Sequence, residues 1–80
     1  MNNELVGKVR DIVAAVFNKS VDEITIDSGA KDIQNWDSLN LINLMLSVES
    51  EFNVEIGIEQ AGKLTSVKTI IEILEQKGIS

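Results

Sequence analysis

A serine stands directly behind an aspartate at the head of an apolar helical pattern. Trp36-Asp37-Ser38-Leu39 separates a polar, glycine-containing stretch from the run that begins near Leu41. The Ser38 hydroxyl is the chemical site that this setting singles out. The remaining inventory excludes much chemistry: the chain has no cysteine and no histidine, so thiolate nucleophiles, imidazole bases and the common zinc ligands are missing. A reactive atom handled by such a chain has to arrive on a cofactor. Aspartate and serine are both preferred helix N-caps, and with Asp37 as the cap, Trp36 and Leu41 occupy the two positions of a hydrophobic staple. Spacing alone therefore also allows residues 36–41 to be helix-start architecture and nothing more. A helix N-terminus nevertheless suits an anion, because its first-turn amides and its dipole favour a phosphate there. Capping by Asp37 and modification of Ser38 are compatible.

The elements that must position Ser38 follow from apolar spacing. Leu5, Val9, Ile12, Val13, Val16 and Phe17 recur at three- and four-residue intervals, which predicts a helix over residues 3–17 ended by Asn18 and Lys19. Ser20 lies three residues before Glu23, a capping-box spacing for a single turn at 21–24, with Val21 and Ile24 turned inward. Residues 27–35 have turn formers and little periodicity, so they read as a loop, with Ala30 and Ile33 tucked under the bundle. Residues 38–52 form the most informative helix. Leu41, Leu44, Met45, Val48 and Phe52 share one arc and make its core face, while Leu39, Ile42 and Leu46 lie on an adjoining arc. Together they are wider than a helix in a small bundle buries, so some of the second group are expected at the surface as a docking face, unless the preceding loop covers them. Residues 55–63 leave room for a short helical piece. Thr65 and Ser66 are capping candidates for a last helix with Val67, Ile70, Ile71 and Leu74 inward, stopping near Lys77-Gly78. The fold expected is all-α: a small four-helix bundle with a long first loop and a short third helix, built as one domain over residues 1–80.

Charge and size bound the partners. At 80 residues with a formal charge of −6, the chain repels phosphate backbones and anionic membrane surfaces, so neither nucleic acid nor membrane insertion is expected. Residues 20–60 carry nine acids against the single base Lys31. Such a face either keeps a small protein in solution or meets basic patches on partner proteins. Residues 1–20 hold no basic segment followed by an apolar run, and no stretch approaches the roughly 20 apolar residues that span a bilayer. A soluble, monomeric cytoplasmic protein is the expectation. Calcium binding is disfavoured, because Asp27 to Asp32 lacks the alternating oxygen ligands and distal glutamate of a helix-loop-helix site.

Several motifs in order resemble a known family. Asp37-Ser38-Leu39 opens an apolar helix that closes in Glu49-Ser50-Glu51-Phe52; Val54-Glu55-Ile56 follows, then Lys63-Leu64-Thr65-Ser66-Val67 before a final helix. In this order, size and acidity, over nearly the whole chain, the sequence resembles the acyl carrier proteins. The resemblance implies the same four-helix fold, and it implies that Ser38 receives 4'-phosphopantetheine from coenzyme A through a separate phosphopantetheinyl transferase. The arm's thiol would carry acyl groups as thioesters, which accounts for the missing cysteine. On this reading the protein is a carrier and not an enzyme. Asp37 would help place the transferase's metal and coenzyme A. Trp36, Leu39, Ile42, Leu46 and Glu49 would face partners, namely the transferase and the acyl-loading and acyl-processing enzymes of fatty acid, polyketide or related specialised biosynthesis. The chain departs from the family's usual pattern at Asn40, Asn43 and Ser50, where that helix is commonly acidic, and at Gly57, where a proline is common. These departures, with Trp36 before Asp37, suggest a specialised member. The competing reading is an unmodified four-helix interaction module that uses its acidic face only for binding.

Overall fold

Leu5, Val9, Val13 and Phe17 recur every four residues and are buried along the first helix, α1 (Asn3–Phe17), in the computed structural model, which describes residues 3–79. After a 3-10 turn at Val21–Glu23 come α2 (Ser38–Phe52), α3 (Ile58–Ala61) and α4 (Val67–Gln76). The fold is thus the small all-α bundle expected, with a long first loop and a short third helix. Helix α1 packs against both α2 and α4, and α3 packs against α2.

Three of the helices stop by the same device. Asn18 takes a left-handed φ of 56°, Asn53 one of 54° and Gly78 one of 87°. Each reverses the chain so that the next amide reaches back five residues: Lys19 to Ala14 at 2.8 Å, Val54 to Glu49 at 3.2 Å and Ile79 to Leu74 at 3.0 Å. These bonds satisfy carbonyls that a helix end leaves orphaned.

The 3-10 turn has the predicted capping box, with the Glu23 carboxylate accepting from the Ser20 amide and the Ser20 hydroxyl accepting from Asp22. Arg10 of α1 ties it down, donating to the Ile24 carbonyl at 2.6 Å and the Val21 carbonyl at 2.9 Å. A single turn has one inward side: Ile24 is buried, whereas Val21, expected inward, is 36% exposed.

The first loop is held by main-chain pairing. Ala30 donates to Thr65 at 2.9 Å, Val67 to Ser28 at 2.9 Å and Lys68 to Ile26 at 3.0 Å, with a bridge between Gly29 and Ser66. Ser28, Gly29 and Ile33 are buried against this junction, but Ala30, expected to tuck under the bundle, is exposed. The isolated bridge brings Gly29 against Ser66 and leaves the Ala30 side chain outside.

Along α2, Leu44, Met45 and Val48 are buried. Leu41 and Phe52, expected on the same core face, are only half-buried, since the bundle covers the middle of that stripe better than its ends. In α4, Val67, Ile70, Ile71 and Leu74 are all inaccessible to solvent. Ser66 caps that helix by accepting from the Thr69 amide at 3.2 Å, and Thr69 Oγ1 returns the favour to the Ser66 amide at 3.0 Å.

Candidate functional site

Asp37 is the N-cap of α2: its Oδ1 accepts from the Asn40 amide at 3.0 Å, and its carbonyl accepts from Leu41 at 2.8 Å. Its Oδ2 makes no hydrogen bond among the described residues and remains available. Ser38 follows as the first residue of the helix and is exposed. Its hydroxyl, its amide and the Leu39 amide have no partner among the described residues. An accessible hydroxyl beside unpaired amides at the positive end of a 15-residue helix is chemically fitted to carry a phosphodiester.

Three features hold this helix start in place. Trp36 stacks on Phe17 with ring centroids 4.7 Å apart and planes 10° from parallel, and its indole N–H donates to the Leu64 carbonyl at 2.8 Å. The Asn35 carbonyl accepts from the Asp37 amide at 2.8 Å and from Asn40 Nδ2 at 2.9 Å. Asn43 Nδ2 reaches Asn40 Oδ1 at 3.5 Å. Asn40 therefore acts as a donor that a carboxylate could not replace. Sequence spacing did not point to this role, because a side-chain bond to a loop carbonyl leaves no periodic trace.

Below Ser38, Leu39 is 73% and Leu46 is 53% exposed, with Ile42 half-buried on the same face. Leu46 also borders an open groove of about 400 Å³ between α1 and α2, lined by Ile12, Val16 and Ser50 among others. At the start of α3, Ile58 is 73% exposed, an apolar surface residue that the sequence reading did not single out. Glu49 lies about 16 Å down the helix axis from Ser38 at 1.5 Å per residue, so it is not part of the same cluster. Its carboxylate is half-buried and accepts from the amides of Ile56 and Gly57. Trp36 and Glu49 thus both have partners within the fold, whereas Leu39 and Leu46 are open. Among the described residues, no group of three or more acidic side chains is arranged to hold a metal ion. No helix among them is long and apolar enough to cross a membrane.

Comparison with known proteins agrees with this geometry. Residues 7–74 match the family described as "Phosphopantetheine attachment site". The acyl carrier protein of Petrotoga mobilis is 35% identical over 75 residues, spanning 94% of this chain and 88% of that protein. The acyl carrier protein of Buchnera aphidicola subsp. Schizaphis graminum is 31% identical over 76 residues, spanning 95% and 96%. That of Bdellovibrio bacteriovorus is 34% identical over 71 residues, spanning 89% and 91%. The fold and the family match define a protein that carries covalent phosphopantetheine. Within that class, the chain belongs to the acyl carrier protein family. It is a non-catalytic carrier whose prosthetic group is a covalently attached 4'-phosphopantetheine, and its role entails contact with biosynthetic enzymes.

Proposed function

We propose that Ser38 is the attachment residue, and that the protein carries acyl groups as thioesters to the enzymes of a fatty acid, polyketide or related specialised biosynthesis. The observation behind this reading is the exposed Ser38 hydroxyl at the head of α2, beside two unpaired amides and behind a capping aspartate. As the resemblance to acyl carrier proteins implies, a separate phosphopantetheinyl transferase would load the arm from coenzyme A. In that transfer the Ser38 Oγ gives up its proton to the transferase and bonds to the pantetheine-side phosphorus of coenzyme A's pyrophosphate, while that phosphorus's bond to the bridging oxygen breaks and 3',5'-ADP leaves with the oxygen. Asp37 keeps the helix start in shape with Oδ1 and offers Oδ2 toward the transferase's metal. Once attached, the arm supplies the thiol that this sequence lacks.

Leu39, Ile42 and Leu46 form the partner face, and Trp36 supports it from the loop side. The carrier works as a monomer in the cytoplasm and as a single domain over residues 1–80. An unmodified interaction module would also explain the acidic middle of the chain, but it leaves the open hydroxyl and amides at Ser38 without a use. Intact-mass measurement after incubation with coenzyme A, magnesium and a broad-specificity transferase tests the reading. One arm should be added to the wild type and none to Ser38→Ala. Labelling that persists in the alanine variant overturns the site, and failure of the wild type with several transferases overturns the carrier.

A further inference from the structure

Glu49, in the last turn of α2, turns its charge inward. Its Oε2 accepts the amide of Ile56 at 2.7 Å and that of Gly57 at 3.2 Å. Two consecutive amides converging on one ionised oxygen form charge-assisted hydrogen bonds, the stronger kind. They bridge the end of α2 to the start of α3 across the intervening loop.

Buried Ile56 and Leu64 anchor the two flanks of α3, but the helix itself has few attachments. The helix has four residues, of which Ala61 is the buried one, and Gly57 caps it without a side-chain bond. Its packing is against α2. Gly57 itself sits at φ 87°, ψ 149°, in a region that residues with a side chain avoid, and Gly62 follows the last helical residue. The family's usual proline at position 57 would have no N–H to donate. The glycine here supplies both the conformation and the second donor.

We propose that Glu49 is a latch: its carboxylate fixes the Ile56 and Gly57 amides and so sets the seat of α3, with its exposed Ile58, on α2. Glu49 then acts on docking through α3.

Amide hydrogen exchange measured by NMR on the unmodified full chain tests this. It requires neither arm nor partner, so its outcome is independent of the carrier reading. In Glu49→Ala, the amides of Ile56, Gly57, Gln60, Lys63 and Leu64 should exchange about tenfold faster or more, while buried positions of α1 and α4 keep wild-type rates. Glu49→Gln, which keeps the size, should show a smaller increase and an upfield move of the Ile56 and Gly57 amide protons. Glu51→Gln removes the same charge from an exposed neighbouring site and should change neither. Wild-type exchange around α3 in Glu49→Ala, unchanged amide shifts in Glu49→Gln, or equal loosening by Glu51→Gln overturns the latch.

Discussion

One substitution, glycine to alanine, should act with opposite sign at two positions of this fold. At Gly29 a Cβ would overlap the Thr65 carbonyl oxygen and approach Ser66 Cα to 2.8 Å and Ser66 Cβ to 2.9 Å. These are atoms of the backbone and of the α4 cap, so no flexible side chain can swing aside. To admit the methyl group, the first loop has to lift from α4. That motion breaks the bonds from Ala30 to Thr65, Val67 to Ser28 and Lys68 to Ile26. At about 1 kcal/mol net for each, the loss is about 3 kcal/mol. The whole stability of a chain this size is about 4–12 kcal/mol. With about 4–8 °C of melting temperature per kcal/mol in a small domain, Gly29→Ala should melt about 12–24 °C lower than wild type. Gly7, within α1, has nothing within 4 Å of its would-be Cβ. There alanine meets open space and gains helix propensity of about 0.5–1 kcal/mol, so the melting temperature should rise by several degrees. Circular dichroism melts of the unmodified protein and the two variants read both effects. Shifts of the same sign, or a Gly29→Ala variant that melts within about 3 °C of wild type, would refute the claim that loop-to-α4 contact limits stability.

Two further outcomes are expected. The ion pair identified among the described residues, Lys8 with Glu4 at 3.7 Å, lies in α1, outside the acidic middle of the chain; sodium chloride should therefore raise the melting temperature by screening self-repulsion over a Debye length of about 10 Å at 0.1 M, and a flat or falling series would remove repulsion as a significant term. In transferase kinetics, Leu39→Ala and Leu46→Ala should each lower kcat/KM, by about tenfold or more if the residue is a buried anchor, without changing the salt dependence. Wild-type rates for both variants, with their fold confirmed by circular dichroism, would rule out the apolar face.

Much of this was legible in the chain because helices advertise themselves by period and punctuation. The bounds of α1, α2 and α4 follow from apolar spacing with Asp37, Ser66, Asn18 and Gly78 at their ends, and Ser38 stood out by its place behind a cap. What spacing could not convey was long-range pairing between irregular segments. The bridge from Gly29 to Ser66 joins residues 37 positions apart, and nothing local marks it, which is why Ala30 was expected inside. Glu49, at the far end of α2, offers the same lesson. The family resemblance placed its charge toward partners; the bonds of its carboxylate to two backbone amides were not foreseen, because amides look alike at every position of a sequence. Val21 failed for a third reason: a capping box locates a turn without saying which of its side chains the bundle covers.

The stacked indole of Trp36 gives this architecture an optical signature. The chain has one tryptophan and no tyrosine, so emission excited at the red edge of the absorption band comes from a single ring. One face of that ring lies against Phe17, its N–H is tied to the carbonyl of Leu64, and it stands two residues ahead of Ser38. Its spectral maximum, lifetime and access to quenchers are therefore set where the long loop, the α3–α4 junction and the head of α2 converge. Bulk added to Ser38, or an enzyme seated over it, alters the surroundings of the one tryptophan that the protein has, and does so without a label.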